Sequence, residues 1–141
     1  MEYDYRARKI VAVISDAVPV GKAMNALGHL AFAAGSRADP SWMGRNTYSD
    51  AEGATLAGIS RYPVIALKAT EAELQEIEEK ARKANLYLGA YPQEMFDTGP
   101  DDELAAAVAK SKTNDFIYHA LILVGSTDEI KALTWHLKLY R

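Results

Sequence analysis

The sequence predicts an α/β protein of three layers, α/β/α, built around a mixed sheet of about four strands. Three observations carry that prediction. Apolar, β-branched runs alternate with helical patterns along the chain. Two of the helical patterns open on capping boxes, Thr70 with Glu73 and Ser126 with Glu129. The longest apolar run, Phe116 to Val124 (FIYHALILV), is too continuous for a half-exposed strand and reads as a central one, buried on both faces.

Taken in order, residues 1–7 form a lead-in whose Tyr3 and Tyr5 are placed to add an edge pairing. The first strand, over 8–14, rests on the run Ile10 to Ile14. Ser15-Asp16 breaks it, and Pro19 and Gly21 lie in the turn that follows. Ala23, Ala26, Leu27, Leu30, Ala31 and Ala34 then recur three and four apart, one face of a helix, with Gly35 where a C-terminal cap is expected. Asp39-Pro40 starts an irregular stretch. Within it, Asn46 to Leu56 carries Asp50, Glu52 and Gly53 where a hairpin would turn.

A second strand over 62–68 leads into the capped helix, whose apolar face is Leu74, Ile77 and Ala81 and which runs to about Ala84. Glu76, Glu78 and Glu79, interleaved with Lys80, Arg82 and Lys83, read as its solvated face, tied by pairs four apart. The third strand, 86–91, is stopped by Pro92. Gly99-Pro100 followed by DDELAAAVAK predicts a short helix with acids near its positive end. After the fourth strand, 116–124, a last helix runs through Ile130 and Leu133 toward the C-terminus. No repeat and no composition shift divides the chain, so one domain is expected over residues 1–141.

Composition narrows the classes of function. Hydrophobic residues make up 49% and charged residues 25%, values of an ordinary globular protein with a real core. With no cysteine, disulfides, thiolate metal sites and a cysteine nucleophile are excluded. The net charge of -3 disfavours RNA as a partner, since nucleic-acid binders carry a basic surplus or stripe. No run of about 18 apolar residues exists to cross a membrane, and the charged opening MEYDYRARK lacks a signal core. A cytoplasmic location is the expectation.

The candidate site is the junction between the first strand and first helix, Ser15 to Met24, because ligands of α/β sheets gather at the carboxyl ends of strands. Lys22 is placed at the helix start, where unpaired N–H groups also point, to bind a phosphate or steady a developing oxyanion. An exposed loop lysine is its bland alternative. Asp16 is the one acid beside it, in position either to orient the loop or to take part in acid–base chemistry. Ser15, Gly21, Asn25 and His29 complete the binding set. His29, His119 and His136 each read as packing residues more readily than as bases. Glu94 and Asp97 would supply a carboxylate if their loop folded over the first helix. The three histidines are too dispersed in sequence for metal spacing, and no GxGxxG or phosphate loop is present, so neither metal nor cofactor is called for.

Both ends of the chain carry a resemblance. Lys9-Ile-Val-Ala-Val through Asp16, Gly21-Lys22 and His29, together with the tail DEIKALTWHLKLY from Asp128 to Tyr140, resemble the archaeal and eukaryotic type of peptidyl-tRNA hydrolase. The AGIS-x-x-P element from Ala57 to Pro63, with its acidic turn, looks more like a related bacterial family known only as a domain of unknown function (number 2000). The resemblance implies the hydrolase fold, and a C-terminal tail, including His136, packed onto the sheet. It departs at the residues of the chemistry. Val20 stands where the hydrolases carry a first lysine, and Ala26 where they carry glutamine. Their Asp-Ala-Gly-Arg-Thr loop gives way to Pro92-Gln-Glu-Met-Phe-Asp97.

The reading is therefore a small-ligand or anion-binding module that has lost its relatives' catalytic loop. Its alternatives are a hydrolase of a peptidyl-tRNA-like ester and a homodimeric scaffold acting through its surface, for instance at Trp42-Met43. A homodimer is expected in any case, through the alanine-rich first helix.

Overall fold

Five buried residues in a row, Val11 to Ser15, can be accommodated only where both edges and both faces of a strand are covered. In the computed structural model, which describes residues 3–141, that is their setting. The elements are β1 (Arg8–Ser15), α1 (Val20–Arg37), the hairpin of β2 (Thr47–Ser49) and β3 (Thr55–Ala57), β4 (Val64–Ala69), α2 (Glu71–Lys83), β5 (Tyr87–Pro92), α3 (Gln93–Asp97), α4 (Asp101–Ala109), β6 (Tyr118–Ser126), α5 (Thr127–Thr134) and β7 (Lys138–Leu139). The main sheet has the order β5-β6-β1-β4-β7. β1 is parallel to β4, with Val13 opposite Leu67, and antiparallel to β6, with Val13 opposite Leu121.

Alternation along β1 sorts the core into two clusters. Val11 and Val13 meet Leu74, Ile77 and Ala81 of α2 and Ile130 of α5 on one face. Ala12 and Ile14 meet Ala23, Ala26, Leu30 and Ala34 of α1 on the other. Helices thus cover both faces, and β6 is buried as expected, with Leu121, Ile122 and Leu123 all at 0% exposure.

Local chemistry sets the helix ends. Thr70 Oγ1 accepts from Glu73 N while Glu73 Oε1 accepts from Thr70 N, and Ser126 and Glu129 repeat the arrangement at α5. α2 closes on Asn85, at φ 55°, with Leu86 N donating to Ala81 O and Asn85 N to Arg82 O, a Schellman turn. On its outer face Glu76 pairs with Lys80 and Glu79 with Lys83. Glu78, expected on that solvated face, is instead buried, and it pairs with Arg82. The hairpin turns where expected. Asp50 Oδ1 accepts from Glu52 N and Ala54 N, and Gly53 takes φ 89°, which only glycine adopts freely.

The structure corrects several expectations. The sheet has five strands rather than four, because Lys138 and Leu139 pair with Lys68 and Leu67 as a two-residue edge too short to show periodicity. Gly35 does not cap α1. The helix runs to Arg37 and stops because Pro40 pushes Asp39 out of the helical region. Tyr3 and Tyr5 add no edge pairing: Tyr3 donates its hydroxyl to Arg61 O and packs on Tyr62. Of the lead-in, Met1 and Glu2 lie outside the described residues. Trp42 is no surface handle. It is buried between Tyr62, at 5.0 Å, and the Arg8 guanidinium, at 5.2 Å.

No helix among the described residues is long and apolar enough to cross a membrane. Leu121→Ala, at the centre of β6, should cost about 3 kcal/mol of stability in urea unfolding. Leu56→Ala, on the 67%-exposed hairpin, should stay within about 0.5 kcal/mol. Equal losses would show that β6 is not the core strand.

Candidate functional site

α1 starts without a cap. Its N-cap residue, Pro19, has no side-chain acceptor, and no acid lies in the first turn. The first helical bond runs from Ala23 N to Pro19 O, so the N–H groups of Val20, Gly21 and Lys22 have no acceptor within the helix. Over an 18-residue helix the aligned peptide dipoles add roughly half a positive charge at this end. The exposed Lys22 adds a full one. Its Nζ sits 5.1 Å from the centroid of the Phe96 ring, a cation–π contact, and it makes no ion pair among the described residues.

Strand direction brings the rest of the site. Because β6 runs antiparallel to β1, Ala120 lies opposite Ile14, and the residue before it, His119, falls at the carboxyl end of β1. β5 is antiparallel to β6, so its carboxyl end and the following α3 arrive at the same edge. Tyr91, Phe96 and His119 form a run of rings, with centroids 4.8 Å and 5.1 Å apart. Gln93 Nε2 donates to Asp97 Oδ1 at 2.9 Å, which turns its carbonyl toward His119 Nε2 at 2.6 Å. The imidazole therefore carries its proton on Nε2, and Nδ1 is the nitrogen left to accept. Burial, the largest cause, depresses the pKa of His119 below its ordinary value. Glu71 opposes that shift, Lys22 reinforces it, and Asp97 and Glu94 oppose it. The ring is neutral at pH 7.

The predicted residues divide. Lys22, Gly21 and Asn25 stand at this helix start, and Asn25 Oδ1 accepts from the Tyr91 hydroxyl at 3.2 Å, leaving its amide hydrogens to donate elsewhere. Ser15 is 3% exposed, and its Oγ accepts from Ala17 N, so it shapes the turn. Asp16 makes no ion pair with Lys22. It lines a separate hollow of about 180 Å³ with Lys68, Thr70 and Glu73, where His136 Nε2 lies 3.4 Å from Glu73 Oε2. His29 is exposed, 6.1 Å from the Tyr91 ring, rather than a packed and hydrogen-bonded core histidine. α3 does fold against the first helix, through Met95 and Phe96. Asp97 holds Gln93, while Glu94 turns to Ser111, whose hydroxyl donates to it at 2.9 Å. His119, read from sequence as structural, is hydrogen-bonded to Gln93 and packed on Phe96. Its place beside the first helix follows from the antiparallel order of β6 and β1, which no local pattern announces.

Chemically the arrangement offers N–H donors, one unpaired cation, an amide donor and a neutral imidazole, beside an aromatic run. That set suits an anionic group of small size. Among the described residues no three His, Asp or Glu side chains are grouped to hold a metal ion.

Comparison with known proteins adds the following. The model of the family described as Protein of unknown function (DUF2000) matches residues 8–141. No curated protein matches the chain. Its structure is similar to that of a protein of unknown function from Agrobacterium tumefaciens str. C58, with a TM-score of 0.85 and 18% sequence identity, over 96% of this chain and 98% of that one. At that identity the likeness shows the fold.

The depressed pKa of His119 has a consequence for stability. In the unfolded chain the ring takes up a proton as the pH falls through about 6.5, while the folded ring stays neutral to lower pH. The stability it contributes is complete above that value and is lost as the pH falls below it. His119→Gln should therefore flatten the loss of melting temperature between about pH 7 and pH 5 relative to the parent. Identical pH profiles for the two proteins would place the titration on another group.

Proposed function

The chain belongs to the DUF2000 family, and from that premise we propose that it is a binding module that captures a small anionic group, a phosphate or a carboxylate, where α1 begins. The observation that supports the reading is Lys22: an ammonium without a carboxylate partner among the described residues, at an uncapped helix start with no acid in its first turn. In a chain of net charge -3, such a site is locally positive against an acidic background. The N–H groups of Val20 to Lys22 accept an anion without reorganisation, and charge-assisted bonds of this kind are about twice as strong as neutral ones. His119 adds a proton-linked element, since its imidazolium would favour the anion as the pH falls.

Titration with inorganic phosphate and with acetate tests the proposal. Lys22→Ala should weaken binding about tenfold, the loss of one charge-assisted contact of about 1.4 kcal/mol. Its melting curve should stay parental, because an exposed lysine contributes little to stability. A Lys22→Ala protein that binds both anions like the parent would end the proposal. The same samples, given a peptidyl-tRNA analogue, test the hydrolase alternative, in which the Nδ1 of His119 takes the proton of the attacking water, Lys22 faces the oxyanion, and the imidazolium returns the proton to the ribose oxygen as the ester C–O bond breaks. Cleavage by the parent that is lost in both Lys22→Ala and His119→Gln would establish it.

A second reading, the homodimer, is favoured by the outer face of α1. The alanines expected to form the dimer face point inward, at Ala23, Ala26 and Ala34. Outward lie Met24 and Phe32, 68% and 85% exposed, and Gly21 and Gly28, where an added Cβ would meet nothing. The order large, small, large from Met24 to Phe32 is symmetric about Gly28. Two antiparallel copies would therefore set Met24 against Phe32 and Gly28 against Gly28, as a two-fold interface requires. Light scattering should return twice the 15.5 kDa chain mass, and Phe32→Glu should return it to one.

A further inference from the structure

At the other end of α1 a cleft opens beside the helix. The last turns of α1 line it with the short side chains of Ala31, Ala34 and Ala38 and with Gly35, and Ile10, Ile122 and Val124 of the sheet complete the lining. Across the opening stands a wall made by the excursion from Pro40 to Pro63. Trp42, Met43 and Ile59 face the helix from it.

This wall is fixed in place. Arg61 N donates to Trp42 O at 2.7 Å, Gly44 N to Ile59 O at 2.9 Å and Gly58 N to Asn46 O at 2.8 Å. The two arms lie so close that a Cβ at Gly58 would fall 1.6 Å from Arg45 O. Trp42 is clamped between Tyr62 and Arg8. The wall therefore keeps its own shape, and a cleft of about 290 Å³ lies between it and the helix.

Its lining holds no charged residue, and the polar side-chain groups of its residues are the Ser60 hydroxyl, which already donates to Tyr62 O, and the Trp42 indole N–H. Water inside would find few partners. A dry apolar cavity of about 150 Å³ takes up benzene, and this one has about twice that volume. The absence of charge calls for a neutral occupant. Twelve residues line the cleft, whereas a specific protein interface uses about 20–30 a side, so the space is that of a small molecule.

We propose that this cleft is a second binding site, for a compact, neutral apolar molecule or substituent about the size of two fused rings. It lies at the opposite end of α1 from the anion site and does not depend on it.

Naphthalene is the probe, measured by equilibrium dialysis against the full chain. The expected result is saturable uptake of one molecule per chain, unchanged in Lys22→Ala, with naphthalene-2-sulfonate binding at least tenfold more weakly. Gly35→Leu places a side chain in the open space and removes a helix-interior glycine, so it should melt no lower than the parent while losing naphthalene at least tenfold. In the unmodified chain, naphthalene should shift the NMR signals of the Trp42 indole and the Ile10 and Val124 methyls, a readout that holds whatever the variant does. Any of four results would overturn the proposal: no saturable uptake, equal binding of the sulfonate, shifts confined to other residues, or naphthalene that splits a dimer and so reveals a second copy as the occupant.

Discussion

The pairing of β1 with β6 is the constraint on which the rest of this structure depends. β1 is covered by hydrogen-bonded neighbours on both sides and by helices on both faces, so from Val11 to Ser15 nothing in it is left for solvent. Its register against β6 decides which residues of two distant segments meet. With Ala120 opposite Ile14, His119 lands beside the first helix, and the antiparallel β5 delivers Tyr91, Gln93 and Phe96 to the same place. A one-residue slip would turn every buried side chain of β6 to the wrong face. The site is thus a by-product of register, held by the most buried part of the molecule.

What was legible in the sequence was whatever depends on neighbours in the chain. Continuous apolar runs gave β1, β4, β5 and β6. Capping boxes gave α2 and α5, and the Asp50–Gly53 turn gave the hairpin. What escaped depends on contacts between distant residues. Two residues of β7 have no period to read, yet β4 supplies their partners. Gly35 looks like a cap only until Asp39-Pro40 is seen to stop the helix further on. The site divided along the same line. Lys22 could be placed from the helix start alone, whereas the position of His119 required knowing which strand lies beside β1. His29 and Trp42 exchanged their expected environments for a related reason: Tyr62 and Arg8, distant in sequence, cover Trp42, while His29 lies on an exposed part of α1.

α1 unites two unlike surfaces. At about 27 Å in length it spans the sheet, with its positive end beside Lys22 and its small-residue end beside the cleft. Between these ends its inner face is ordinary core, and its outer face carries the exposed Met24 and Phe32. One helix therefore presents an electrostatic end, an apolar end and a flank of evenly spaced exposed side chains. Each depends on a different property of the same residues: dipole, volume and spacing.

The order of strands also has a consequence for biosynthesis. As the chain leaves the ribosome, β1 finds its parallel partner β4 early, but its other neighbour is β6, near the far end. Until that strand emerges, the edge of β1 from Arg8 to Ile14 presents unpaired peptide groups next to apolar side chains, the kind of edge that recruits other chains. Such distant pairings form late and slowly. The nascent protein therefore passes through an open-edged stage, and losing β6 would expose the middle of the sheet rather than its margin.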